Sequence, residues 1–247
     1  MKSYIKVILL VPILVIMNAC SAYKTSQDAL NIWYPSHNYY STVSNEVLQS
    51  EASENIVDAK LELAMRLMAG EKIATDPERA FSLVLQTAQN GDPRAQYLVG
   101  AAYATGSGTT QSQLEAINWY KKSALGGYDF GQYWYAFMLS RGYAGSPKNW
   151  KAALPWFEKA AEQGNKAAQF TLGEIHESCK GGVDRNFNLA AKWYRIAGEN
   201  NSMGARYNLR RLIDIGLTEW KPGDAGKPPE MLQPLGKVDT KPCRKDN

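Results

Sequence analysis

Apolar positions along this chain recur in blocks of about 36 residues. Four stretches stack: Ala59 to Gly91, Ala95 to Gly127, Gly131 to Gly164, and Ala168 to Asn201. Each opens on a small residue, and another stands five positions on, at Ala64, Gly100, Ala136 or Gly173. Glycine follows at Gly70, Gly106 and Gly142, where the fourth block has Cys179. Each block closes on an alanine and an apolar or aromatic pair. These are Leu83–Val84 after Ala80, Trp119–Tyr120 after Ala116, Trp156–Phe157 after Ala153, and Trp193–Tyr194 after Ala190. Two helix-length apolar patterns fit in one block. A period of that size, built from helix pairs, predicts an all-α, right-handed αα solenoid whose blocks bury their faces on one another.

Helix ends are marked in the same way. Asp76–Pro77, Asp92–Pro93 and Ser146–Pro147 each place a capping acceptor before a proline suited to the first helical position. Asp184 is expected to cap the second helix of the fourth block. Gly91, Gly127 and Gly164 stand where helices end in a left-handed residue. Pro155 lies inside a helical pattern and would crowd the Lys151 carbonyl, so a kink or a later helix start is expected there. A fifth helix begins at Ala205–Arg206–Tyr207–Asn208–Leu209 and gives way to the tail. The boundaries are residues 1–19 as signal peptide, 20–55 as leader, 56–215 as solenoid and 216–247 as a proline-rich extended tail. Within the leader, Trp33–Tyr34, His37 and Tyr39–Tyr40 read either as a cap on the first block or as a second contact patch.

The unit from Ala95 to Leu98 and Val99–Gly100, then Tyr103, Gly106, Gly108, Ala116, Trp119–Tyr120, Ala124 and Gly127, resembles the Sel-1-like repeat, a relative of the tetratricopeptide repeat. The resemblance covers about 160 of the 247 residues. It implies about four helix pairs plus a terminal helix, and a scaffold that holds another protein. The first unit departs from the pattern at Arg66 and Leu83–Val84.

Composition adds a compartment. Lys2 and Lys6 precede an apolar run from Val7 to Met17, too short to span a membrane and suited to a secretory signal. The run ends in Met17–Asn18–Ala19–Cys20, which resembles a bacterial lipobox. Lipidation of Cys20 would tether the chain to the envelope, and Ser21 implies the outer membrane; ordinary cleavage after Ala22 is the alternative. The oxidising periplasm allows Cys179 and Cys243 to pair, and otherwise both are free thiols. Loss of Lys2 and Lys6 takes the charge from +4 to +2, with no long basic run, so nothing points to nucleic acid.

Chemistry is sparse. The chain has 2 histidines, and His176 occupies a helix-packing slot of the repeat. No Gly-x-Ser-x-Gly elbow, His-Glu-x-x-His or Cys-x-x-Cys arrangement occurs, so no catalytic group, metal or cofactor is assigned. Glu174 and Glu177, three apart on one helix, read as a solvated face. Partner contact is expected on the first helix of each pair, three, six and ten residues after its opener, opposite the packing positions. Those positions hold Glu62, Met65 and Ala69, then Leu98, Ala101 and Thr105. The third block has Trp134, Phe137 and Arg141, and the fourth Thr171, Glu174 and Ser178. Aromatics beside arginine have hot-spot composition, so Trp134, Phe137 and Arg141 form the expected centre, flanked by Leu98 and Glu174. Packing of Trp134 and Phe137 under a neighbouring element is the other reading.

Periplasmic lipoproteins of the resembled family include immunity proteins against type VI secretion phospholipases. The resemblance therefore implies a non-enzymatic lipoprotein that binds such a toxin. An envelope adaptor is the alternative. A β-lactamase-like hydrolase, also known among relatives, is disfavoured by the missing Ser-x-x-Lys.

Overall fold

Small residues at fixed intervals let helices approach closely, and the chain folds accordingly into paired helices. The computed structural model describes residues 40, 42–70, 72–143, 145–219, 221 and 224. Among them stand ten α-helices and no strand, an all-α helical repeat. The described residues form two compact units, 40–138 with 142–146, and 139–141 with 147–224. The first holds α1 (Asn45–Ser53), α2 (Val57–Ala69), α3 (Pro77–Gln89), α4 (Pro93–Thr105), α5 (Gln113–Leu125) and most of α6 (Asp129–Arg141). The second holds α7 (Trp150–Glu162), α8 (Lys166–Ser178), α9 (Phe187–Glu199) and α10 (Met203–Asp214).

Helix α1 lies in the segment read as leader, and it keeps the period. Its buried Leu48 and Ala52 stand 36 residues before Val84 and Ala88, which are also buried. Asn55 after it is left-handed, 36 residues before the left-handed Gly91. Helix α1 thus stands at the register of the second helix of a pair. Of the leader aromatics Tyr40 alone is described; it is buried in the core with Leu48. The rest of that group, the signal segment with Cys20, and most of the tail with Cys243 lie outside the described residues.

Two of the expected caps hold and two move. The Asp76 side chain accepts from the Arg79 amide at 3.0 Å, and that of Asp92 from the Ala95 amide at 3.0 Å. Ser146 and Asp184 do not cap. Asn149 and Asn186 do, accepting from the amides of Ala152 and Leu189, each at 2.9 Å. These asparagines keep the 36- to 37-residue interval from Asp76 and Ser112, whereas Pro147 belongs to the turn before α7. Helix α7 accordingly starts late, and runs through Pro155. Both Lys151 and Pro155 are exposed, so water can satisfy the carbonyl that proline leaves unpaired.

The aromatic pairs divide their work. Tyr120, Phe157 and Tyr194 are wholly or almost wholly buried. A methyl group on Gly100 would meet the Tyr120 ring at 2.7 Å, and one on Gly173 the Tyr194 ring at 2.3 Å. That is why small residues stand at those points. The preceding tryptophans sit further out and carry lysine ammonium groups, Lys122 at 3.7 Å from the Trp119 ring and Lys159 at 4.6 Å from the Trp156 ring. A second device joins consecutive pairs. Gln96 donates to the Ala88 carbonyl (3.3 Å), Gln169 to the Ala161 carbonyl (3.1 Å), and Arg206 to the Gly198 carbonyl (2.8 Å). Each bond adds a second donor to a last-turn carbonyl that already accepts from the amide three residues on, that of Gly91, Gly164 or Asn201.

Candidate protein-interaction site

The expected patch starts on α6, where Trp134, Phe137 and Arg141 follow one another at intervals of three and four and so share a helix face. Trp134 and Phe137 are half-buried, and Arg141 is exposed. Trp134 stacks on Tyr120 (5.9 Å, 20°) and meets Phe137 edge-on (5.3 Å, 70°). Phe137 stacks in turn on Tyr143 (6.3 Å, 29°), which is exposed. The result is a wall of three rings whose inner end is core and whose outer end is wet. Tyr143 was missed by the sequence reading because it lies in a loop, beyond the helical register that selected the others.

The flanking residues differ. Leu98 is half-buried and packs against the cores on both sides of α4, so it contributes more to packing than to a surface. Glu174 is half-buried on α8, in the second compact unit, whereas Leu98, Trp134 and Phe137 belong to the first. Glu177, read as solvated, is engaged. It accepts from the Tyr194 hydroxyl (2.9 Å) and pairs with Arg211. Burial, reinforced by the Glu177 charge, pushes the Tyr194 hydroxyl well above its ordinary pKa, so it stays a donor.

On α2 the expected wet face is closed at Glu62, half-buried at Met65 and exposed at Ala69. Glu62 is buried at 2% exposure and forms an ion pair with Arg66 at 3.0 Å. Arg66, itself 4% exposed, also donates to the Val43 carbonyl (3.0 Å), the Asn45 side-chain oxygen (2.8 Å) and the Tyr40 carbonyl. The departure at Arg66 is therefore a clamp on residues 40–45, which cover this part of the face. Helical geometry alone placed Glu62 in water; the covering segment is not visible from α2.

Nothing in the site has the form of a reaction centre. Among the described residues no group of three or more His, Cys, Asp or Glu side chains could hold a metal. His176 is half-buried with Nδ1 unsatisfied, and burial lowers its pKa from 6.5. Cys179 is one half of a disulfide.

These features define an all-α helical repeat protein. The Sel1 repeat model matches residues 57–92, 93–128, 130–165 and 166–202, and the chain belongs to the Sel1 repeat family. No curated protein sequence matches it. Among solved structures it is similar to a protective antigen with an SLR fold from uropathogenic Escherichia coli (28% identity, TM-score 0.63, covering 68% of this chain and 36% of that one). It is also similar to a Sel1 repeat protein from Oxalobacter formigenes (26% identity, TM-score 0.58, covering 63% and 61%). An immunity protein from Pseudomonas aeruginosa shares the fold (18% identity, TM-score 0.53, covering 81% and 76%). The chain thus spans about a third of the first relative and under two thirds of the second. Sel1 repeats mediate protein–protein interaction, and no catalytic family is indicated.

Proposed function

We propose that this chain is a non-enzymatic binding protein of the bacterial envelope, held by a lipid on Cys20, that neutralises a lipolytic toxin delivered by type VI secretion. The observation that carries the binding role is the Trp134–Phe137–Tyr143 wall, open at Tyr143 and followed on α6 by the exposed Arg141. Rigid aromatics and arginine concentrate binding energy where they can be desolvated by a partner. The immunity role draws support from the Pseudomonas aeruginosa neighbour, whose likeness is one of fold. An envelope adaptor is the second reading. It is favoured by Tyr207, 71% exposed on α10, which offers a further contact in the second compact unit.

The test is a challenge of host cells with the cognate toxin. Cells lacking the protein should lose viability, and wild type should restore it where Arg141→Glu does not. Equal survival with and without the protein would exclude immunity. Anchoring is read separately: Cys20→Ser should move the protein from the membrane to the soluble fraction.

A further inference from the structure

Tyr207 is exposed on the side of α10 where other first helices meet the second helix of their own pair. At its register Tyr97 reaches the Tyr120 ring at 5.9 Å, and Phe170 the Tyr194 ring at 5.8 Å. Met203, one turn earlier on the same face, is 58% exposed. Helix α1 is open in the opposite sense. Its Glu51 stands at the register of Thr87, Ser123, Ala160 and Ala197, all of them buried. There Ser123 on α5 donates to the Pro93 carbonyl of α4, the first helix of its own pair, at 2.6 Å. Glu51 is only half-buried, and Val47, one turn before it, is 48% exposed. Tyr40 packs in the core with Leu48 but leaves Val47 open. Among the described residues the array thus opens on a second helix and closes on a first helix, each exposed where its counterpart would pack.

Charge separates the two helices as well. Helix α1 carries Glu46 and Glu51 and no basic residue, whereas α10 carries Arg206, Arg210 and Arg211 against Asp214. The units follow the same sense: among the described residues the first holds 10 acidic and 7 basic side chains, the second 13 basic and 9 acidic. The α10 arginines already have partners within the chain, the Gly198 carbonyl for Arg206, Asp214 for Arg210 and Glu177 for Arg211. The opposed charges therefore act as fields that steer and orient, not as new ion pairs.

A second copy of this chain supplies both counterparts. We propose that copies associate head to tail, with α10 of one copy lying against α1 of the next, so that the two make up a helix pair across the contact. Two α10 helices facing each other would instead meet with like charge. The contact is heterologous, so a dimer keeps one α1 and one α10 open to further copies. It rests on neither the lipid anchor nor the toxin.

The experiment is sedimentation velocity on the full chain and on two variants changed at opposite ends. Wild type should gain mass with concentration, and raising salt from about 0.05 to 0.5 M should weaken the association roughly tenfold. Met203→Ser/Tyr207→Ser removes apolar area from α10, and Val47→Arg/Glu51→Arg reverses the charge of α1. Each variant alone should stay monomeric, because every contact needs both helices intact. Mixed in equal amounts they should form a 1:1 dimer and nothing larger, since one intact α10 and one intact α1 remain; that dimer also shows that both variants fold. Wild type that stays monomeric up to about 1 mM would overturn the proposal. So would self-association of Val47→Arg/Glu51→Arg, which would mark a contact between like ends. A mixture that stays monomeric, with both variants matching the wild-type Tm, would overturn it too.

Discussion

Tyr97 and Tyr207 are the same residue at the same register of the repeat, yet Tyr97 is 1% exposed and Tyr207 is 71% exposed. Tyr97 is walled by Tyr120, Tyr128 and Phe130 at 5.7–5.9 Å. Tyr207 stands on the last described helix, with no second helix of its pair and no following block among the described residues. At that register Leu61 and Tyr133 are buried and Phe170 half-buried, so exposure is greatest on the last described helix. Burial in a repeat protein is therefore a property of the neighbour, not of the local sequence. The two ends handle this differently. At the start, α1 supplies half a pair, and Arg66 ties residues 40–45 down through a buried ion pair. At the end, Arg195 on α9 holds Glu219 and Asp224, and among the described residues nothing buries Tyr207 on α10.

Five variants test this contrast. Tyr97→Ala should cost about 3–5 kcal/mol in chemical denaturation, the range for emptying a packed aromatic site. Arg66→Ala should cost a similar 3–5 kcal/mol or so, because it strands the buried Glu62 carboxylate. The double change Glu62→Leu/Arg66→Ala, which installs the residues of the next block (Leu98 and Ala102), should recover most of that loss. No recovery would mean that the clamp on residues 40–45, rather than the stranded charge, sets the cost. His176→Leu probes acid sensitivity. Burial lowers the histidine pKa in the folded state below 6.5, so the unfolded chain takes up the proton first. Stability is then lost as pH falls through 6.5 toward the folded value. The variant, with the leucine found at Leu67 and Leu139, should lose less between pH 7.5 and pH 5. Smallest of all, Tyr207→Ala should change stability by less than about 0.5 kcal/mol; a cost near that of Tyr97→Ala would show that another part of the chain covers α10.

The period, the helix pairs and the wall on α6 were legible in the sequence because they recur or follow one helix's register. The misses share a cause. Ser146 and Asp184 were chosen as caps from local turn chemistry, whereas the repeat interval already pointed to Asn149 and Asn186. Helix α1 was hidden by its polar surroundings, although Leu48 and Ala52 sit 36 residues before Val84 and Ala88. Glu62 was placed in water, and Glu177 on a solvated face, because side chains from other segments engage them. Such contacts leave no mark on the helix that receives them. Tyr143 escaped for the converse reason, being a loop residue that reaches a helical stack.

In the proposed function the outer end of the aromatic wall holds another protein. Trp134→Ala is a poor probe, since Trp134 stacks on buried Tyr120 and its loss would disturb the core. Arg141 and Tyr143 are exposed, and Tyr143 meets the half-buried Phe137 rather than a fully buried ring such as Tyr120, so their replacement is the milder probe. The decisive measurement is therefore the affinity of the toxin for wild type and for Arg141→Glu/Tyr143→Ser, with both proteins checked for equal Tm. The double variant should bind at least about a hundredfold more weakly, roughly 2.7 kcal/mol. Equal affinity at equal Tm would contradict it and place the contact elsewhere on the repeat.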